Sequence, residues 1–371
     1  MTSVSDLARL RILMVAPLVA PINEATGQIG GAQVLLADLA RGLARRGHVL
    51  TLIAVRGSTV PGVRVVHLEV DESALRPASF VPGALRRDDT EQEGAFARVR
   101  TWLDAHAAEF DVVHAHAFDA PAFRALRGSS VPVVHTLHLP PLDPAVVRAA
   151  AEIDDALMVT VSETNARAWR AAGVRVDAVV PNGIALDEIP VGIGDGQLLY
   201  AGRISPEKGA DVAIRVARAA GRSLVLAGGV YDAEFFERAV RPLLGTDARH
   251  LGRLPRPEVY RLMGEAAALL VPIRWDEPFG LVAVEAQAAG TPVVGYARGA
   301  LPEVVVHEKT GYLVSPDHED ALVDAIRRVG AIERAECRRN AERFSAVAMV
   351  RTYEDLYVSR IRSSASASRR G

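Results

Sequence analysis

Two basic residues bracket a short loop in the second half of the chain. The run 202–209, GRISPEKG, places Arg203 and Lys208 around a turn that ends at Gly209. Backbone N–H groups at a helix start attract anions, and flanking cations add charge-assisted hydrogen bonds. Only Lys208 and Lys309 are lysines among 43 basic residues, so the choice of lysine favours a compact point charge over a planar guanidinium. The run predicts an anion site; the alternative is a solvated loop charge.

Two carboxylates lie further along the chain, in the run 276–285. Glu277 and Glu285 are eight residues apart, and the sequence between them begins Pro-Phe-Gly-Leu. A mostly helical spacing separates their backbones by about 12 Å, which is too far for the acid and nucleophile of a retaining glycosidase. We therefore expect them to hold two ends of one elongated ligand. The alternative for Glu285, taken alone, is an ordinary carboxylate on a helix surface.

Four histidines follow two apolar runs of the first half. His114 and His116 end one predicted strand, at the carboxyl edge where open α/β sheets bind ligands. Strand alternation directs both rings to one face, which suggests a metal pair, but no third ligand has suitable spacing. A catalytic or ligand-contacting role for His116 is favoured. His135 and His138 end the next strand and either line the same cleft or are buried with their ring nitrogens satisfied.

A glycine-rich segment, GQIGG at 27–31, separates the first predicted strand from the first helix. Gly30 and Gly31 would let backbone N–H groups approach an anion. The segment has neither the Gly-x-Gly-x-x-Gly spacing of a dinucleotide site nor the lysine of a P-loop. A tight turn without a ligand explains it equally well.

Parallel sheets flanked by helices must position these residues, because short β-branched runs alternate with amphipathic segments along the whole chain. The clearest helix is 31–46, where one apolar face precedes a glycine stop. Strands are predicted at 11–15, 49–55, 63–66, 111–115, 131–136, 156–161, 177–180, 197–201, 223–227, 250–251, 268–272, 292–295 and 312–314. Helices of the second half are predicted to begin at 209, 233, 257, 281, 318 and 333.

The repetition of this alternation predicts two domains. A Pro- and Gly-rich stretch at 189–196 is the predicted linker. We expect an N-terminal Rossmann-like domain at 1–184 and a second one at 185–345, facing each other across a cleft. The last helix, about 346–362, is predicted to pack back on the first domain, and 363–371 to form a disordered Ser/Ala/Arg tail.

Composition indicates a globular enzyme of about two ordinary domains. The 371 residues are 49% hydrophobic with a formal net charge of −2, so no nucleic-acid partner is implied. A single cysteine, Cys337, excludes an intramolecular disulfide and fits a cytoplasmic location. The apolar run 12–22 has the length of a signal peptide, but its prolines and its position indicate a strand and turn. No run approaches the roughly 20 apolar residues of a membrane span, and the oligomeric state is left open.

Taken together, these motifs resemble the retaining glycosyltransferases of family 4, of the glycogen-synthase-like and mannosyltransferase-like type, which have a GT-B fold. The resemblance covers nearly the whole chain. Its most specific part lies between Tyr200 and Val314, where YAGRISPEKG, EPFGLVAVEAQAAGTPVV, GALPEVV and TGYLV follow in the expected order and spacing.

The resemblance implies a role for each motif in binding a nucleoside diphosphate sugar, UDP- or GDP-linked. Gly30 and Gly31 would approach the donor phosphates, Arg203 and Lys208 would neutralise the diphosphate, and Glu285 would hold the ribose diol.

The remaining matches concern the sugar and the base. Glu277 would contact sugar hydroxyls, and His116 matches the histidine near the reacting sugar. Backbone around Arg253, in LGRLP, would contact the base. Three backbone N–H groups would join Glu277, namely those of Phe279, Gly280 and Leu281.

The implied reaction moves a hexose to an acceptor hydroxyl with retained anomeric configuration, without a metal or further cofactor. Gln287 departs from the methionine common in the family, which we interpret as a packing difference. A soluble small-molecule or glycan acceptor is favoured, since the predicted helix at 90–106 mixes acidic and basic residues evenly. The alternatives are a UDP-sugar epimerase or phosphorylase on the same fold, or a non-catalytic nucleotide-sugar-binding protein.

Overall fold

The computed structural model of the protein describes residues 9–23, 31–70 and 90–368. These residues form two compact units. The first unit contains the described residues up to Val161, Ala166–Pro181 and the residues from Ala346 onward. The second contains Ser162–Asn165 and Asn182–Ser345. Apart from Ser162–Asn165, the second unit therefore begins after Pro181, slightly before the predicted boundary at residue 184, and ends at Ser345.

The first unit contains a seven-stranded parallel sheet. Its strands are β1 (Arg11–Val15), β2 (Val49–Val55), β3 (Arg64–Leu68), β4 (Val112–Ala115), β5 (Val133–Leu137), β6 (Ala156–Thr160) and β7 (Ala178–Val179). The order β3-β2-β1-β4-β5-β6-β7 extends the Rossmann order by one strand. Apolar runs form these strands because a parallel sheet is covered on both faces.

Helices cover this sheet and place the loop residues at its carboxyl edge. They are α1 (Gly31–Arg45), α2 (Thr90–His106), α3 (Ala120–Leu126), α4 (Pro144–Ala151), α5 (Glu163–Ala171) and the last helix of the chain, Ala346–Ser368. The last helix packs on α1 so closely that a Cβ at Gly42 would lie 2.5 Å from the Val350 side chain. It is part of this unit's core, as its buried residues Met349, Val350, Tyr353 and Tyr357 show.

The second unit repeats the architecture with six parallel strands. They are β8 (Leu198–Ala201), β9 (Leu224–Ala227), β10 (Ala248–His250), β11 (Leu269–Val271), β12 (Val293–Tyr296) and β13 (Gly311–Val314). Their order is β10-β9-β8-β11-β12-β13, the Rossmann order. The helices are α6 (Ala210–Ala219), α7 (Ala233–Phe235), α8 (Arg256–Glu265), α9 (Leu281–Ala288), α10 (Leu301–Val304), α11 (Glu319–Arg328) and α12 (Arg334–Ala341). The chain's last helix is accordingly α13. The predicted pair of Rossmann-like folds is confirmed.

The sequence predicts an interdomain linker at 189–196, but in the structure this segment is part of the second unit. Two arginines one turn apart on α12 hold it through backbone carbonyls. Arg334 donates to Gly192 O at 2.9 Å, and Arg338 donates to Ile189 O at 3.1 Å and to Leu186 O at 3.0 Å. These carbonyls lie outside the strands of the sheet, and the guanidinium groups help to satisfy them.

The prediction of a disordered tail from residue 363 is wrong for residues 363–368, which continue α13. Extending an existing helix is much easier than nucleating one, and these serines and alanines include neither glycine nor proline. Residues 369–371 lie outside the described residues.

A buried carboxylate joins α13 to the turn between α1 and β2. Glu354, 2% exposed, accepts hydrogen bonds from Arg46 Nε at 2.5 Å and from His48 Nε2 at 2.8 Å. Glu354→Leu should lower the free energy of unfolding by about 2 kcal/mol, because His48 loses a buried partner. The measurement is calorimetric unfolding at pH 7.

Asp355 offers a matched control, since it follows Glu354 on the same helix and is exposed. Asp355→Ala should change the unfolding free energy by less than about 0.5 kcal/mol. Equal stabilities of the Glu354 variant and this control would show that the buried contact adds nothing to the fold.

Candidate functional site

The loop after β8 is shaped by glycines that other residues cannot replace. At Gly209, φ is +72° and a Cβ would lie 2.2 Å from Pro272 O, just after β11. At Gly228, just after β9, φ is +153° and a Cβ would lie 1.8 Å from Gly202 O. Loops that follow three neighbouring strands therefore touch through bare backbone. They bring the predicted anion loop 202–209 beside residues 228 and 272.

Lys208 and Glu277 meet directly, although 69 positions separate them in the chain. Lys208 Nζ lies 2.5 Å from Glu277 Oε2, and the two side chains are 19% and 18% exposed. Trp275 completes the group: its Nε1 donates to the same oxygen at 2.8 Å, and its ring centre lies 5.0 Å from Nζ. An ammonium group has three donors, so Lys208 can pair with this carboxylate and still bind an anion.

The backbone of Glu277 is held just as closely. A Cβ on Gly299, whose φ is +59°, would lie 2.3 Å from Glu277 N, and Ala300 N donates to Glu277 O at 2.8 Å. The sequence motif GALPEVV thus supports the loop that carries Glu277. Sequence reasoning missed Trp275 and Gly299 as site residues; the position of Trp275 two residues before Glu277 was the available signal.

The loop from Glu277 leads into the N-terminus of α9. Gly280 has a φ of +88°, and the first bond of this turn runs from Ala283 N to Gly280 O at 2.9 Å. The preceding N–H groups have no place in the intrahelical pattern and form the positive end of the helix. Phe279 is 4% exposed and packs edge-on against Phe344, with 5.6 Å between ring centres. Its side chain is therefore a core residue, and only its backbone is available to a ligand.

Arg203 has a carboxylate partner of its own. Its guanidinium lies 4.6 Å from the ring centre of Tyr231 and 3.6 Å from Glu207 Oε1. The Tyr200 phenol donates to Arg203 O at 2.7 Å and so fixes the backbone at that point. Each of the two predicted anion-binding cations is therefore paired with a separate carboxylate in this structure.

Glu285, about one turn along α9, belongs to a different cluster from Glu277. Its Oε1 accepts a hydrogen bond from Tyr260 OH at 3.1 Å and lies 3.9 Å from Arg256 Nη2. Arg256 Nε donates to the same phenol, and burial next to Glu285 raises the pKa of Tyr260. Sequence reasoning missed Tyr260 and Arg256, although their spacing of four residues on α8 puts them on one helix face.

Arg253 and Gln287 complete the predicted set in this unit. Arg253 is exposed after β10, and its Nε lies 3.3 Å from the place of a Cβ on Gly229. Gln287 is fully buried, with its Nε2 bonded to Ala283 O at 3.1 Å and to Val304 O at 3.0 Å. Asn340 donates to Gln287 Oε1 at 2.7 Å, so the substitution is accommodated by hydrogen bonds as well as by packing.

In the first unit, three of the four histidines form one chain. His116 Nδ1 lies 2.9 Å from His138 Nε2, and His116 Nε2 lies 3.2 Å from His114 Nδ1. Neither His114 nor His116 has exposed surface, and burial lowers the pKa of both well below its usual range. Histidines that end two neighbouring strands therefore lie together, while the burial of His116 was not foreseen.

His135 lies apart from this chain, with its ring centre 4.8 Å from that of Phe123. Burial lowers its pKa to about 4, and neither ring nitrogen has a partner within the described part of the chain. It is thus buried but not satisfied. No group of three or more metal-ligating side chains occurs among the described residues.

Of the glycine-rich segment, only Gly31 is described; Gly30 lies outside the described residues. Gly31 is the exposed first residue of α1, and a Cβ there would meet no atom within 4 Å. Packing within the described chain therefore does not require glycine at this position. Within the described ranges, no helix has the length and apolar character to cross a membrane.

Comparison with known proteins identifies relatives over nearly the whole length. A family model described as "Glycosyl transferases group 1" matches residues 190–344, and one described as "Glycosyltransferase Family 4" matches residues 29–188. The D-inositol 3-phosphate glycosyltransferase of Jonesia denitrificans is 30% identical, over 93% of this chain and 96% of that protein. That of Xylanimonas cellulosilytica is 28% identical, over 92% and 96%. The structure of AviGT4, a glycosyltransferase involved in avilamycin A biosynthesis, superposes with a TM-score of 0.70 at 26% identity, covering 95% of this chain and 98% of that one.

Proposed function

The chain belongs to glycosyltransferase family 4, with two Rossmann-like units of the GT-B type, and from this premise we propose that it transfers a hexose from a nucleoside diphosphate sugar to a hydroxyl of a small polar acceptor, with retained anomeric configuration. The observation that carries the donor part is the meeting of Lys208, Glu277 and Trp275 beside the N-terminus of α9.

The diphosphate would bind to Lys208 and Arg203, and the family resemblance implies that the backbone of Gly30 and Gly31 contributes to phosphate binding as well. Lys208 retains donors after its bond to Glu277. The open space around Gly31 supports this arrangement, because no atom of the described residues lies within 4 Å of the place of a Cβ there.

The sugar and the nucleoside would occupy the two carboxylate clusters. Glu277 would accept from sugar hydroxyls beside the N–H groups of Phe279, Gly280 and Leu281. Glu285 would hold the ribose diol, and backbone around Arg253 would contact the base. The separate partners of Glu277 and Glu285 support this division of one elongated ligand.

In the proposed reaction, the bond from the anomeric carbon to the diphosphate oxygen breaks while a bond to the acceptor oxygen forms on the same face. The acceptor's proton passes to an oxygen of the leaving diphosphate, so no protein nucleophile is required. Negative charge grows on the diphosphate as the first bond breaks, and fixed cations and helix dipoles stabilise it most in the transition state. Lys208 and α9 would supply this stabilisation.

His116 would shape the pocket of the reacting sugar without transferring a proton. Its two ring nitrogens lie within 3.2 Å of neighbouring histidines, so neither is available to exchange a proton with a ligand. A neutral, fully buried imidazole supports a role in positioning.

The test is incubation of the purified protein with UDP- and GDP-linked hexoses and a panel of acceptors, followed by mass spectrometry. The names of the relatives make D-inositol 3-phosphate the first acceptor to try, with free inositol and simple glycosides beside it. A product heavier by one hexose supports the proposal. Isomerised donor without transfer would identify an epimerase, and an inverted anomeric centre in the product would refute retention.

Turnover should survive chelation. The sequence contains no Asp-x-Asp, the carboxylate pair with which many transferases hold a diphosphate through a metal ion, and it offers Arg203 and Lys208 in its place. Initial rates with and without EDTA test this. Abolition of turnover by EDTA, restored by magnesium or manganese, would refute the metal-independent donor site.

A further inference from the structure

A chain of hydrogen bonds runs from α13 to the carboxyl end of β5. Tyr357 OH lies 2.6 Å from His114 Nδ1, which also contacts His116 Nε2. His116 Nδ1 contacts His138 Nε2 at 2.9 Å, and His114 Nε2 contacts Thr136 Oγ1 at 2.7 Å. A neutral imidazole has one N–H and one bare nitrogen. The nitrogen that carries the proton on one ring therefore determines which nitrogen carries it on the next.

All three rings are neutral near pH 7. Burial lowers the pKa of His114 and His116 well below the usual range, and that of His138 to about 4. Burial also raises the pKa of Tyr357, so its hydroxyl keeps its proton. The hydrogen bonds along these three histidines can therefore be donated in either of two directions, and none of the rings carries a net charge.

Competition at His114 selects one direction. Tyr357 faces Nδ1 and Thr136 faces Nε2, and only one of these nitrogens can accept. A phenol, with an ordinary pKa of about 10, is a far better donor than an aliphatic hydroxyl, whereas the threonine oxygen accepts readily. No other hydrogen bond to Tyr357 OH is found in the described part of the chain. Donation by Tyr357 leaves His114 protonated on Nε2, bonded to Thr136.

The position of the proton on His114 then determines its position on His116 and His138. With His114 Nδ1 bare, His116 must place its proton on Nε2, because two bare nitrogens 3.2 Å apart would repel each other. His116 Nδ1 is then bare and accepts from His138 Nε2–H. In this direction Tyr357 and His116 each donate a proton of their own to His114 Nδ1, whose one lone pair accepts both, whereas in the reverse direction they would share the single proton of that nitrogen. The contact of Tyr357, the stronger donor, is the shorter one at 2.6 Å and favours the first direction.

We propose that Tyr357 is a positioning residue that sets the direction of the chain His114–His116–His138, so that His138 presents a bare, hydrogen-bond-accepting Nδ1 to a ligand hydroxyl. His138 directly follows β5, at the sheet edge where α/β proteins bind ligands. It keeps 6% of its surface exposed, and its Nδ1 has no partner among the described residues. The identity of that hydroxyl, on the sugar or on the acceptor, rests on the proposed function, whereas the direction of the chain does not.

The first experiment needs no variant. In protein labelled with ¹⁵N-histidine, two-bond proton–nitrogen correlations identify the protonated nitrogen of each neutral ring. We expect His114, His116 and His138 all to carry the proton on Nε2. A proton on Nδ1 of His138 would overturn the proposal, whatever the enzyme turns over.

Tyr357→Phe tests the cause, with Tyr353→Phe as its matched control. Tyr353 lies one turn earlier on α13, is also buried, and packs its ring 4.8 Å from that of His114, compared with 5.5 Å for Tyr357. Its hydroxyl bonds to Thr136 Oγ1 at 3.0 Å and not to a histidine nitrogen. Loss of the Tyr357 hydroxyl should leave His138 as a mixture of both tautomers, while the control keeps the Nε2–H form. An unchanged single tautomer in Tyr357→Phe would overturn the proposal.

Kinetics then connect the direction of the chain to turnover. Tyr357→Phe should lower kcat about tenfold with little change in the Kd of the nucleoside diphosphate, and Tyr353→Phe should leave both near wild type. Equal kcat losses in the two variants would reduce Tyr357 to a packing residue and overturn its role. Failure of the proposed function would give a different result, because the wild-type protein would then not bind the nucleotide.

Discussion

Replacing Lys208 by arginine should lower kcat on the order of a hundredfold at saturating donor, or about 3 kcal/mol, although charge is conserved. Nζ lies 2.5 Å from Glu277 Oε2 and 5.0 Å from the Trp275 ring centre, and the side chain is 19% exposed. A planar guanidinium is wider and more weakly hydrated than an ammonium group, so it cannot occupy the same point between a carboxylate and a diphosphate. The cation acts most as the leaving group gains charge, so kcat should fall more than donor affinity.

Lys309→Arg is the matched control, because Lys309 is the other lysine of the chain and lies exposed in a turn. Steady-state kinetics of both variants, with the identified donor and acceptor, give the comparison. Wild-type turnover by Lys208→Arg would mean that this lysine is a loop charge paired only with Glu277. Its part in stabilising the diphosphate would then have to be abandoned.

Acidification should destabilise the first unit well before its carboxylates are protonated. Burial lowers the pKa of His135 and of His138 to about 4 in the folded protein, against about 6.5 in an unfolded chain. Because the folded value is the lower one, the unfolded chain binds protons first, and stability is lost as pH falls from about 6.5 toward 4. As pH falls through this range, each histidine should lower the free energy of unfolding by about 1.4 kcal/mol per pH unit, or by about 3 kcal/mol in all at pH 4.

His135→Leu isolates one of these two groups. Both ring nitrogens of His135 lack partners within the described residues, so an apolar side chain of similar size removes an unsatisfied buried group. Relative to wild type, the variant should gain about 3 kcal/mol more stability at pH 4 than at pH 7, measured by urea unfolding at several pH values. His67→Leu, at an exposed strand position, is the control. A stability gain that does not depend on pH would show that His135 does not titrate on unfolding.

The sequence by itself determined the elements and the loops that carry the motifs. Strands such as Val49–Val55 and Leu224–Ala227 are continuous apolar runs, because parallel sheets are covered on both faces, and such runs are legible without a structure. Glycines at 209 and 280 mark the loops after β8 and before α9, since their positive φ angles suit only glycine. Strand order then brings the carboxyl ends of β4 and β5 together, so His138 lies beside His116, one of the two arrangements that the sequence left open.

Only the tertiary structure decided which side chains pair across these loops. Lys208 bonds to Glu277 and lies over the ring of Trp275, and Glu285 bonds to Tyr260, over separations of 69, 67 and 25 residues. Periodicity predicts which face of an element is buried, but not which partner it meets. Gly299 illustrates the limit, because its φ of +59° and its approach to Glu277 depend on two loops folding against each other.

The end of the polypeptide, the segment 189–196 and the histidine contacts also show what local sequence predicts and what only packing decides. A Ser- and Ala-rich end has too little apolar surface to predict order, yet residues 363–368 continue a helix that packing has already nucleated. The segment 189–196 has the composition of a linker, and arginines from α12 make it part of a folded unit. Tyr357 lies 243 residues from His114, a contact that no local pattern records. Local propensity fixes the elements of this protein, whereas the pairing of buried polar groups depends on three-dimensional proximity, which local sequence does not encode.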